Sequence, residues 1–209
     1  MECLLCNSPV SRPPTWTGLF SDRGKSGICV PCQAKFEPDG RRPPLEDWKG
    51  TPYEGALDAA ISLYTYNDAM KTYLRQYKFL KDAALAAVFS DKLREVPILK
   101  GRTAVPVPMH QERLAERTFP QVEELLVQAG IPFVQLLEKT TARNLGRLGR
   151  KERMESEPLF TLSDGAEVYR ADYVLVDDLY TTGTTLHHAA HILKKSGARS
   201  VAALTLIRA

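Results

Sequence analysis

The sequence predicts an α/β protein: an open, mostly parallel sheet with flanking helices, plus a small N-terminal module built on four cysteines. Three observations carry that expectation. Short apolar runs of strand length alternate with stretches whose apolar residues recur at helical spacing. One run, Val174, Leu175 and Val176, is uninterrupted, as suits a strand covered on both faces, and it leads through Asp177 and Asp178 into a threonine- and glycine-rich turn that opens a helix. All four cysteines fall within the first 32 residues.

In chain order, Cys3-Leu-Leu-Cys6 and Cys29-Val-Pro-Cys32 come first, a paired spacing that lets two thiolates from each turn complete a tetrahedral zinc site. Four thiolates leave no open coordination position, so such a zinc stabilises the fold and does not catalyse. Two disulfides are the rival arrangement, disfavoured in a chain expected to be cytoplasmic. Between the pairs, Trp16, Leu19 and Phe20 offer too little apolar area for a core of their own. Gly18 to Ser26 imitates a P-loop, but five residues separate Gly18 from Gly24 where that motif has four, and no buried strand precedes it. The proline-, glycine- and charge-rich stretch 37–44 reads as a linker, dividing a module of residues 1–44 from a main domain of residues 45–209.

Residues 60–66 are rich in strand formers, and Asn67 or Asp68 then caps a helix with Met70, Tyr73, Leu74 and Tyr77 on one face. A second helix starts near Asp82. Residues 103–108 read as a short strand breaking into a loop, Pro120 suits the first turn of a helix carrying Val122, Leu125 and Leu126, and 133–137 reads as another strand. Asp164-Gly165, between two strand-like runs within 158–169, predicts a hairpin. Asp177 marks the exit of its strand; a helix over 184–196 is stopped by Gly197, and 201–207 is the last strand. Ligands of open α/β sheets gather at the carboxyl ends of the strands, where Asp177 and Asp178 sit.

Composition narrows the function. Hydrophobic content of 44% and charged content of 25% are ordinary for a globular domain, and a net charge of +3 does not by itself demand nucleic acid. The start Met-Glu-Cys lacks the basic and apolar regions of a secretory signal, and no apolar run reaches membrane-spanning length, so a cytoplasmic protein without membrane insertion is expected.

Thr181, Thr182, Gly183, Thr184 and Thr185 lead into Leu186, Ala189, Ala190 and Leu193 at helical spacing, which places the turn at a helix N-terminus. Unpaired N–H groups, the positive end of the helix dipole and small hydroxyl side chains together make an anion site. Asp177 and Asp178 then accept from vicinal sugar hydroxyls, or stand as outer acceptors around a magnesium ion held mainly by substrate oxygens. A polar strand exit and a capped helix start are each commonplace alone; their junction is what points to a sugar phosphate. No G-x-G-x-x-G follows a strand, which removes the usual dinucleotide fingerprint. Residues 139–153 carry Arg143, Arg147, Arg150, Lys151 and Arg153 against the single acid Glu152. With two glycines and no apolar period, the segment reads as a flexible basic loop that closes over a ligand, contacts a nucleic-acid backbone, or is simply solvated. His187, His188 and His191 lack a nearby carboxylate in sequence and read as surface or core histidines, not metal ligands.

The 13-residue run from Tyr173 to Thr185 is similar to the signature of type I phosphoribosyltransferases, which bind 5-phosphoribosyl-1-pyrophosphate (PRPP). Together with the cysteine pairs, Tyr77-Lys-Phe-Leu-Lys-Asp82, Val105-Pro-Val-Pro-Met-His110, Arg113, Glu116-Arg117 and Gly197-Ala-Arg-Ser-Val-Ala-Ala-Leu-Thr-Leu206, it resembles the ComF family of competence-associated proteins over nearly the whole chain. That resemblance implies a type I phosphoribosyltransferase-like sheet, PRPP-type binding with magnesium, and a role in uptake of single-stranded DNA during natural transformation beside a helicase-like partner. In this reading Thr181, Thr182, Gly183, Thr184 and Thr185 hold the 5′-phosphate. Asp177 and Asp178 hold the ribose hydroxyls and favour positive charge in the ring as its bond to pyrophosphate breaks, while Arg113, Arg117 and Lys78 meet the pyrophosphate. The chain departs from the family pattern at Thr118 and Pro120, where Gly and Asn are usual, and at Asn144-Leu-Gly-Arg-Leu-Gly-Arg, where a glutamine-glycine-leucine-serine run is usual.

The acceptor of a phosphoribosyl transfer has no portable motif, so an enzyme and an inactive scaffold both suit the chain. The scaffold alternative binds single-stranded DNA and a competence helicase, and it predicts salt-sensitive DNA binding that weakens when Arg143, Arg147 and Arg150 are neutralised together. Unchanged affinity in that triple variant, measured across a salt series, removes the loop as a DNA contact.

Overall fold

The structure, a computed structural model, describes residues 2–10, 27–140 and 149–209, with backbone alone at 150, 153 and 155. Strands β1 (Ala59–Thr65), β2 (Thr103–Pro106), β5 (Asp172–Tyr180) and β6 (Ser200–Arg208) form one parallel sheet in the order β1-β6-β5-β2. Strands β3 (Leu137–Lys139) and β4 (Phe160–Leu162) pair as a separate antiparallel ribbon. The helices are α1 (Val30–Gln33), α2 (Asp68–Phe79), α3 (Ser90–Arg94), α4 (Gln111–Arg117), α5 (Gln121–Ala129), α6 (Arg150–Glu155) and α7 (Thr184–Lys195). No helix among the described residues is long and apolar enough to cross a membrane.

The two central strands are buried on both faces, which is why their apolar runs are unbroken: from Val201 to Ile207 no residue of β6 exceeds 2% exposure. Strand alternation sends Val174, Val176, Ala202 and Leu204 to one face, where α2 and α5 pack, and Leu175, Val201 and Ala203 to the other, where α7 packs. Ser62 and Thr205, buried across the β1–β6 pair, satisfy each other through their hydroxyls at 2.7 Å. Helix α2 begins as the sequence expects, with the Asn67 side chain accepting from the Met70 N–H at 3.0 Å and Met70, Tyr73, Leu74 and Tyr77 buried.

Elsewhere the structure differs from the expectation. Asp82 caps its segment, but 83–89 winds as a 3₁₀ helix before α3. Of the strand expected over 133–137, Phe133 makes one parallel bridge to Ala104, and the strand itself begins at Leu137 because its partner is β4. Asp164-Gly165 makes a turn, closed by the Ala166 N–H to Ser163 O at 3.0 Å, but no hairpin. β4 pairs backward with β3, where Leu137 and Phe160 bury together, whereas Tyr169 beyond the turn stays exposed. Asp177 is not the strand exit: Asp177, Leu179 and Tyr180 continue the pairing with Thr205, Ile207 and Arg208.

The cysteine-bearing residues seat on the main body. Cys3, Ile28, Cys32 and Phe36 share one apolar cluster with Tyr73 and Phe89, and the Phe36 and Phe89 rings lie 5.0 Å apart. The boundary proposed near residue 44 thus separates segments that meet across this contact.

Candidate functional site

β2 and β5 run side by side, and the Val107 N–H still donates to Val176 O at 2.9 Å before Pro108 turns the chain away. Past that point the carboxyl edge of the sheet opens into a cleft of about 140 Å³. Asp177 and Asp178 on β5 line it. The last turn of α2 brings Lys78, α4 brings Arg113 and Arg117, the end of β3 brings Lys139, and α7 brings Thr185. Among the described residues the walls hold these four cations against two carboxylates, a surplus that favours an anionic ligand.

The two acids sit in different surroundings. Asp178 is ion-paired with Lys78, which α2 can deliver because Tyr77, fully buried beside it, donates its hydroxyl to Gln121 O at 2.6 Å. Asp177 accepts the Asp178 N–H at 2.8 Å. The Asp177 residue keeps some surface on the cleft, yet its carboxyl lies deep enough that burial, reinforced by the charge of Asp178, pushes its pKa up to about 7 against the partial relief of Lys78 and Lys139. Lys139 is shifted the other way: burial disfavours its ammonium and Arg113 adds to this, while Asp177 opposes it. Arg117 lies 4.2 Å over the ring of Phe79, with its Nη1 buried and without a hydrogen-bond partner.

Of the hydroxyl turn only Thr185 lines the cleft. Thr181 is exposed, Thr182 half-buried, and Gly183 and Thr184 are buried, with the Thr182 and Thr184 hydroxyls 2.9 Å apart. Gly183 precedes α7 at φ 79°, and a Cβ there would lie 2.5 Å from the Tyr180 Oη, so only glycine fits this turn. Thr118, which ends α4 at φ 71°, occupies a left-handed position that costs a non-glycine residue about 1–2 kcal/mol.

The basic stretch is not a loop throughout: Lys139 closes β3, and Arg150, Lys151 and Arg153 lie on α6, with Lys151 exposed; Arg143 and Arg147 lie outside the described residues, as do the side chains of Arg150 and Arg153. His187 and His188 are core residues, His187 stacked on Trp48 and His188 on Tyr53, each at 3.9 Å between centroids. Burial holds His187 down to about 4, so it is neutral near pH 7. Met154 of α6 packs with Trp48 and Tyr53.

Sequence reasoning named two polar cleft residues for no role of their own. Lys139 was legible only as the first residue of the basic stretch, and Gln121 only as the end of the family-like segment Glu116 to Gln121.

The Sγ atoms of Cys3, Cys6, Cys29 and Cys32 lie within 4.8 Å of one another, and all four cysteines are free. The Cys6–Cys29 separation of 3.7 Å matches the edge of a tetrahedron with metal–sulfur bonds of about 2.3 Å. Hydrogen bonds from Ser8 bring Cys6 down to about 6, while burial and the neighbouring sulfurs push Cys32 up to about 12. A thiol raised by crowding among other sulfurs is one that a bound cation would ionise, and the four fit a structural metal site.

Residues 114–209 match the family described as phosphoribosyl transferase domain. The chain is 32% identical to Competence protein ComFC of Streptococcus pneumoniae (strain ATCC BAA-255 / R6), covering 100% of both chains. It is 35% identical to Competence protein ComFC of Bacillus subtilis (strain 168), covering 99% of this chain and 94% of that one. Competence protein F of Haemophilus influenzae (strain ATCC 51907 / DSM 11121 / KW20 / Rd) is 25% identical over 75% of each chain.

Proposed function

This chain belongs to the ComF family as a ComFC-type competence protein with a phosphoribosyl transferase domain, and from that premise we propose that its cleft binds PRPP with magnesium. The observation that supports this most is the meeting of Asp177 and Asp178 with Lys78, Arg113, Arg117 and Lys139 in one small cleft beside the Thr181 to Thr185 turn. Carboxylates accept from sugar hydroxyls; the cations and the turn take the two phosphoryl ends. Asp177 and Asp178 provide oxygen donors of the kind magnesium takes, and when bound the ion would neutralise charge on the phosphoryl oxygens. In a transfer, the bond from the anomeric carbon to the pyrophosphate oxygen breaks with its electron pair on oxygen. Ionised Asp177 and Asp178 would then stabilise the cationic ring while Arg113 and Arg117 stabilise the leaving group.

The same proposal assigns zinc to the four thiolates. It also assigns the chain a role in natural competence, with single-stranded DNA and a helicase-like protein as partners, for which the salt series on the loop variant is the test.

The ligand assignment is tested by calorimetric titration of the full chain with PRPP. Binding with magnesium and at least tenfold weaker binding without it is expected; no binding in either condition overturns it.

A further inference from the structure

Gln121, the first residue of α5, is 3% exposed, lines the cleft, and holds its Nε2 buried without a hydrogen-bond partner. A side-chain amide nitrogen carries two N–H donors, and leaving them unmet in the interior is costly unless something else compensates. The position is not a product of slack: the Gln121 backbone is fixed by the hydrogen bond from buried Tyr77 to its carbonyl. Neither acid of the cleft meets the amide: Asp178 pairs with Lys78 and Asp177 accepts the Asp178 N–H, and Gln121 Nε2 has no partner in either. The other side chains lining the cleft include Lys78, Arg113, Arg117 and Lys139, and Arg117 Nη1 is likewise buried and unpartnered. Donors left unmet beside surplus cations describe a receptor for oxygens that carry negative charge and no hydrogen.

We infer that Gln121 is a ligand-binding residue whose amide donates to a phosphoryl oxygen at the pyrophosphate end of the ligand, alongside Arg113, Arg117 and Lys139. This rests on the PRPP reading, keeps its division of the cleft, and adds to it a residue. The sugar and its 5′-phosphate belong to Asp177, Asp178 and the hydroxyl turn, and the second anionic group to Gln121 and the cations. The unmet amide destabilises the ligand-free protein and is satisfied only when the anion arrives.

That coupling gives Gln121 a signature a purely structural glutamine lacks. In Gln121→Leu, of similar volume and without the polar group, the melting temperature of the ligand-free chain is expected to rise by about 2–4 °C, the shift for roughly 1 kcal/mol in a chain of this size. Affinity for PRPP and for magnesium pyrophosphate falls about 10- to 100-fold, the loss of one hydrogen bond to a charged group. Ribose 5-phosphate, which lacks the second anion, binds as to wild type within about twofold. Gln121→Glu, which keeps shape and polarity but sets an acceptor against the anion, loses PRPP and pyrophosphate binding while still folding, and so carries the test if the leucine variant does not fold. Unchanged PRPP and pyrophosphate affinity in both variants overturns the inference, as does an equal loss for ribose 5-phosphate. A wild-type chain that binds none of the three overturns the PRPP reading itself.

Discussion

Asp177→Asn is expected to stabilise the ligand-free protein near pH 7.5 and, combined with Asp178→Asn, to lower affinity for PRPP with magnesium by 100-fold or more. Asp177 holds its proton up to about 7 in the folded chain, whereas an unfolded aspartate releases it near 4. Below the unfolded value both states carry the proton and the residue costs nothing. As pH rises toward 7 the unfolded state ionises and the folded state does not, so stability is lost across that window and the loss is complete above it. The cleft-facing side of the carboxyl keeps some water, which limits the effect to about 2 kcal/mol. Thermal melts of the Asn variant should therefore lie above wild type at pH 7.5 and converge with it near pH 4. Asp178→Asn should do the opposite, because it strips Lys78, whose side chain is only 17% exposed, of its partner. Ligand binding follows the ionised form: wild-type affinity rises between pH 6 and 8, and the Asp177→Asn variant loses that part of the rise. Coincident melting curves for the two single variants at every pH would refute the unequal roles assigned to the acids.

Removing the zinc proposed for the four thiolates is expected to have the second large effect. Cys3 and Cys32 are buried in the apolar cluster that contains Phe36, Tyr73 and Phe89, so releasing the thiolates unseats residues that cover α2. Structural zinc in small modules contributes most of their folding free energy, and a loss of about 4 kcal/mol here corresponds to a melting temperature lower by roughly 10 °C. Cys3→Ser, or a strong chelator on the wild-type chain, should produce that drop, with native mass spectrometry showing one zinc before treatment and none after. A metal-free chain that melts with the untreated one would show that packing alone holds the segment.

What the sequence could disclose depended on how local the cause was. β5 and β6 were legible because burial on both faces writes itself into consecutive residues, from Val174 to Val176 and from Val201 to Ile207. The β3–β4 ribbon was not: each strand has three residues with one buried, too few to show a period, and its register comes from a partner far along the chain. The site divides in the same way. Asp177, Asp178 and Thr185 share one short run, so their chemistry could be read together, and the family resemblance added Lys78, Arg113 and Arg117. Gln121 and Lys139 become cleft residues only when α5 and β3 are brought against β5, and an amide left without a partner is a property of the assembled interior that no spacing records.

The strand order carries a further consequence, for the route by which the chain reaches this shape. β6 lies between β1 and β5, and Ser62 meets its hydroxyl partner Thr205 across 143 residues. Such non-local pairing is slow to form, because the entropy of closing so long a loop is lost before any contact repays it. Until β6 is inserted, β1 has no neighbour in the sheet and β5 lacks one flank, so the shelf holding both acids is among the last features to become rigid. A chain of this topology leaves the edges of β1 and β5 open until β6 is made, and that interval is when wrong pairing threatens most.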